Sequence, residues 1–138
     1  MRISLLDRSN YYKGLLILIG RDRIIDPRER ELMLQFGKVL DFEKRFCEAA
    51  IDDLLDNAYL TDEPVVFSKL EIAECFFRDA VRLAFVDEEF HTKEQTWLRT
   101  VAQANGLTDE WLDIEVKRFL GRKGSLDHAT TLNIEQYL

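Results

Sequence analysis

Displaced by 65 residues, the chain aligns on itself. The stretch from Asp22 to Leu55 falls on Asp87 to Leu120 without a gap: Asp22 meets Asp87, Glu29 meets Glu94, Phe46 meets Trp111 and Leu55 meets Leu120. Apolar positions coincide as well, Leu18 with Leu83, Ile25 with Phe90, Leu32 with Trp97 and Phe36 with Val101. A period of this size marks a supersecondary unit written twice, whose copies bury their apolar faces together. The 138 residues are therefore expected to form a single domain, 1–138, with an internal repeat over 10–58 and 68–121. A chain of this length buries about 70% of its unfolded surface, enough for a core without disulfide or metal.

Within each copy the apolar period is helical. Tyr11, Tyr12 and the run Leu15 to Ile19 leave almost no polar face between about Asn10 and Arg21, which predicts a central helix covered on several sides. Asp26-Pro27-Arg28-Glu29 is a helix start, with Asp as N-cap, Pro in the first turn and Glu at the capping-box position. Leu32, Phe36, Val39 and Leu40 line the helix that follows, Asp41-Phe42 breaks it, and Phe46, Cys47, Ala50, Ile51, Leu54 and Leu55 face inward from a third. Asn57 to Pro64 joins the copies. The second copy repeats the order: a helix from about Ser68 to Val86, one through Trp97, Leu98 and Val101 stopped at Asn105-Gly106, and one capped by Thr108. The tail from Leu126 is expected to add a short docking helix. The predicted fold is all-α, a single-domain helical bundle of two pseudo-symmetric three-helix units.

Composition narrows the function. A net charge of -7 repels a polyanionic backbone, so no nucleic-acid partner is expected. Met1 to Asp7 has no sustained apolar core and Leu15 to Ile19 is too short to span a bilayer, which predicts a cytoplasmic protein without membrane insertion. Cys47 and Cys75, each inside an apolar segment, read as buried free thiols, with a disulfide between them left open. Neither has a His nearby in sequence, no Gly-rich phosphate loop occurs, and Glu88-x-x-His91 lacks the second copy that a di-iron centre requires. No enzyme is expected.

What remains is acidic. Asp87 leaves one helix and Glu94 sits in the first turn of the next, so one helix-loop-helix corner brings both carboxylates toward a hard cation, with Glu88 and Glu89 supplying further oxygens. The first copy offers Asp22, Asp26 and Glu29. Oxygen ligands of this kind suit Ca2+, Mg2+ or Mn2+ better than Zn2+. The same residues also suit capping, since acids at helix N-termini satisfy free N–H groups and the helix dipole.

The run Leu83-Ala84-Phe85-Val86-Asp87-Glu88-Glu89-Phe90-His91-Thr92-Lys93-Glu94, continued by Asn105-Gly106-Leu107-Thr108, resembles the TerB-like (tellurite-resistance) family. The first copy, Asp22 to Glu29, follows the pattern less closely, and the resemblance extends from the first helix to Leu120. The family's Gly after the Asp is replaced by Arg23 in one copy and Glu88 in the other. Arg23 sets a positive charge beside Asp22, which makes the Asp87 corner the better cation candidate. The resemblance implies an all-helical two-copy domain, found alone or fused to modules such as J-domain co-chaperones, with divalent metal at the acidic junctions in some relatives. It implies a non-enzymatic binding or adaptor module with a protein partner, tied to a tellurite-type stress response. The rival expectation is an interaction domain without metal, or a homodimer formed through Phe67, Phe76 or Phe85.

Overall fold

The computed structural model describes residues 3–20, 25–54, 63–85, 92–121 and 134–135. Six helices appear in the order α1 (Leu5–Ile19), α2 (Pro27–Val39), α3 (Lys44–Leu54), α4 (Leu70–Ala84), α5 (Thr92–Ala104) and α6 (Asp109–Gly121). The fold is all-α, with no strand among the described residues, where no helix is long and apolar enough to cross a membrane. Moved 65 places along the chain, the bounds of α1 and α2 fall on those of α4 and α5, and the first residue of α3 falls on that of α6.

Helices α1 and α4 form the centre. α1 packs against α2, α4 and α5, and α4 packs against α1, α2, α5 and α6. This follows from their composition: α1 buries Tyr11, Tyr12, Leu15, Ile17, Leu18 and Ile19, and α4 buries residues on most of its circumference from Ile72 to Ala84. Where they meet, the Tyr11 ring stands edge-on to Phe76 at 5.4 Å, and Phe67 closes the group at 5.8 Å from Tyr11 and 5.2 Å from Phe76. Gly14 permits this approach. A Cβ there would lie 2.8 Å from two ring carbons of Phe76 and 3.0 Å from a methyl of Val65.

Local chemistry sets the helix ends. Asp26 caps α2 through the Arg28 N–H, Glu29 reaches back to the Asp26 N–H at 3.1 Å, and Pro27 fills the first turn. The Thr108 hydroxyl accepts from the Trp111 N–H at 3.0 Å and caps α6. α2 and α5 end in the same way. The Asp41 and Phe42 N–H groups return to the carbonyls of Lys38 and Gly37, and those of Gly106 and Leu107 return to Gln103 and Ala102. Both stops turn through left-handed backbone, with φ of 67° at Asp41 and 80° at Gly106.

Four sequence expectations are corrected. α1 begins at Leu5 rather than near Asn10, because the Ser4 hydroxyl accepts from the Asp7 N–H and caps a first turn whose Leu5 and Leu6 stay exposed. Phe46 is 55% exposed instead of facing the core. The place beside Phe77 that Trp111 occupies in the second half is taken beside Tyr12 by Phe42, so Phe46 lies outside it. Phe67 and Phe76, offered as dimer contacts, are 8% and 0% exposed because α1 and α4 enclose them. Phe85, the third, is only half-buried and stacks on Phe119 at 5.2 Å. Cys47 and Cys75 are both free and buried.

The segment before α4 is extended and held by side chains. Asn105 accepts from the Phe67 N–H at 2.9 Å and donates to the Val65 carbonyl at 2.8 Å, as a neighbouring strand would. Asn10 donates to the Val66 carbonyl, and the buried Asp7 carboxylate accepts from both the N–H and the hydroxyl of Ser68. Val65 and Phe67 point inward and Val66 outward, the period-two alternation of extended chain.

Two consequences are measurable in urea melts. Asp41→Gly should stabilise by up to about 1 kcal/mol, since only glycine adopts positive φ freely, while Gly106→Ala should destabilise by about 1 kcal/mol. Equal shifts at the two stops would contradict the shared geometry. Gly14→Ala, which in an exposed helix would gain about 1 kcal/mol, should instead lose about 1–3 kcal/mol because the enclosed Phe76 ring has no room to move.

Candidate functional site

The two acidic corners are described to different extents. Asp22 in the first, and Asp87, Glu88 and Glu89 in the second, lie outside the described residues. Of the remaining candidates, Asp26 accepts from the Arg28 guanidinium at 3.1 Å as well as from the backbone. The Arg28 hydrogen bonds hold the Asp26 carboxyl below its usual range. Glu29 completes the capping box and is 3% exposed. Glu94 stands at the same place in α5 and is also 3% exposed. The structure thus gives both corners a buried glutamate in the first turn. Among the described residues no three His, Cys, Asp or Glu side chains gather as metal ligands would.

Beside the second corner a cleft of about 330 Å³ opens between α5 and α6. Phe85, Leu112, Val116 and Leu120 make its apolar lining, with Gln95, Arg99, Asp113 and Lys117 around them. Arg99 is held by Asp113 at 2.8 Å and Asp109 at 3.8 Å. Lys117 is exposed and has no carboxylate partner among the described residues. The positions 65 earlier differ in chemistry. Gln95 corresponds to Arg30 and Lys117 to Asp52, and those two form an ion pair of 2.6 Å that ties α2 to α3. The cleft's ionic side chains sum to about +1 on a chain of net charge -7, which favours ligands that combine apolar surface with negative charge.

Comparison of the chain with protein-family models, with curated proteins and with solved structures gives no match. The functional reading therefore rests on the molecule itself.

A third polar feature lies inside the core. Asp79, 0% exposed in the middle of α4, accepts from the Tyr11 hydroxyl at 2.5 Å and from the backbone N–H of Ile134 at 3.1 Å, both on one oxygen. Ile134 is itself fully buried. Burial, and next the Asp79 carboxylate, push the Tyr11 phenol well above its ordinary pKa. Tyr12, whose hydroxyl donates to the Met33 carbonyl, is also raised, by burial and then by Cys47. Sequence reading passed over Asp79 among the apolar residues of its helix. The available signal was an acid between Phe77 and Ala80 on a face that is otherwise aliphatic and aromatic. On the outer side of α4, Arg78 holds the buried Glu115 of α6 and lies 5.7 Å over the Trp111 ring.

The Tyr11 phenol implies a pH dependence. Its folded pKa exceeds the unfolded value of about 10, so its contribution is complete below about pH 10 and is lost as pH rises further. Tyr11→Phe should cost about 1–3 kcal/mol at neutral pH, because Asp79 loses a buried donor. The variant should also show a shallower alkaline loss in denaturant titrations, the remaining slope belonging to Tyr12. Identical slopes in both proteins would refute the assignment.

Proposed function

We propose that the chain is a non-enzymatic, TerB-like binding or adaptor module. Two pseudo-symmetric three-helix units share one core, and the second unit carries the ligand-facing chemistry. The observation that carries this reading is the coincidence of helix bounds at a 65-residue displacement, set against the places where the two halves differ. The first half uses Asp26 and Glu29 to cap α2 and closes α2 on α3 with Arg30 and Asp52. At Gln95 and Lys117, the positions matching Arg30 and Asp52, the second half presents a cleft with a cationic rim. Lys117, in the place of Asp52, puts an exposed cation at the edge of that cleft, which supports the second copy as the one that takes a ligand.

Glu94 supports a divalent cation at the second corner, with Asp87 as its partner ligand and Glu88 and Glu89 contributing oxygens. Ca2+, Mg2+ and Mn2+ match that donor set. A cation bound by these carboxylates would offset part of the net charge of -7 and favour an acidic partner surface. The apolar lining of the cleft favours a second reading, a protein-interaction module that needs no metal. A tellurite-type stress role belongs to the first reading through the family resemblance alone.

Native mass spectrometry with added Ca2+, Mg2+ and Mn2+ should show one stoichiometric ion per chain, accompanied by a rise in melting temperature. Asp87→Asn combined with Glu94→Gln should abolish both effects. If no ion binds in stoichiometric amount and chelator leaves melting unchanged, the cation reading fails and the metal-free module stands.

A further inference from the structure

The two halves close their outer helices differently, and the difference accounts for the cleft. In the first half α2 and α3 meet at Gly37 and Cys47, where a Cβ on the glycine would collide with the Cys47 sulfur. Displacement by 65 residues carries this pair to Ala102 and Leu112, both buried. Residues this much larger need more room between α5 and α6. The room shows one turn further along: Ile51 of α3 is buried, while its counterpart Val116 in α6 is half-buried and lines the cleft. The same displacement exchanges the Arg30–Asp52 ion pair, which bridges α2 and α3, for Gln95 and Lys117, which cannot form one. The resulting floor, Leu112, Val116 and Leu120, follows one stripe of α6 for about 12 Å. Of the two cations around it, Arg99 is already held by Asp109 and Asp113, whereas Lys117 has no carboxylate partner among the described residues.

We propose that the cleft between α5 and α6 binds a straight-chain aliphatic carboxylate of medium length, with its carboxylate on the Lys117 ammonium and its alkyl chain along Leu112, Val116 and Leu120. Three features select this class. The floor is a single aliphatic stripe, so the ligand is apolar along its length. One cation beside the stripe is left to be matched, so the ligand carries one negative charge. The volume of about 330 Å³ is that of a small-molecule site and holds one short chain, far from the roughly 1,000 Å² of buried surface that a specific protein contact needs. The inference rests on the second half being the ligand-facing copy and is independent of any cation at the acidic corner.

Calorimetric titration of the full chain tests it, with octanoate as the probe and chelator present. One octanoate should bind per chain, and hexanoate should bind about tenfold more weakly, as two fewer buried methylenes require. Octylammonium should bind at least about tenfold more weakly than octanoate, since Lys117 then repels the head group. Lys117→Gln removes only an exposed charge and should weaken octanoate about threefold. Gln95→Arg combined with Lys117→Asp copies the first half's ion pair across the cleft and should weaken octanoate at least about tenfold. Equal binding of octanoate and octylammonium, or unchanged octanoate affinity in Lys117→Gln, overturns the proposal, and both comparisons hold however the double variant folds. Absence of saturable octanoate binding also overturns it. In that case an amphipathic helix of leucine and glutamate that binds instead would leave the adaptor reading standing, whereas binding of neither would overturn the ligand-facing role of the second half as well.

Discussion

The packing of α1 on α4 is the constraint on which the rest of the molecule depends. Both helices are too apolar to face water, so each must be covered by its neighbours, and the two cover each other first. Their approach is set by an aromatic group, Tyr11, Phe67 and Phe76, and by the missing side chain at Gly14. Once that contact is made, α2 and α5 have surfaces to lie on, and α6 finds Phe77 and Arg78 of α4 through Trp111 and Glu115. The cleft between α5 and α6 is thus positioned by the centre, although no residue of α1 lines it.

Features fixed by short-range chemistry were legible in the sequence. Asp26, Pro27 and Glu29 act within one turn of each other, Thr108 caps three residues ahead, and Asn105-Gly106 ends α5, so a reading of neighbours finds them. Ser4 obeys the same rule and was missed because the turn that it starts is exposed on Leu5 and Leu6 and carries no inward period. The errors at Phe46, Phe67 and Phe76 have another origin. Periodicity shows that an aromatic residue shares a face, but whether that face is covered depends on partners tens of residues away. Phe42 covers Tyr12 and leaves Phe46 outside, while α1 encloses Phe76.

The candidate site was legible only in part. Glu29 and Glu94 stand in the first turn of their helices, as the repeat of the acidic signature suggested, but their burial was not foreseen, and Asp22, Asp87, Glu88 and Glu89 lie outside the described residues. Neither the cleft nor the polar contact at Asp79 could be read from spacing. Lys117 corresponds to Asp52, a reversal of charge that gains meaning only when Arg30 is seen opposite Asp52. Tyr11 and Asp79 are 68 residues apart, beyond any local pattern.

That separation bears on how the chain finds its structure. Helical bundles normally fold fast because most of their contacts are local. Here the hydrogen bonds of the centre join residues 56, 61 and 68 positions apart, so a loop of nearly half the chain must close before the central pair gains anything. Until it closes, α1 and α4 remain exposed with closely similar apolar faces, and either helix can meet its complement on another molecule instead. Crowded or concentrated chains are therefore prone to exchange these helices while they fold.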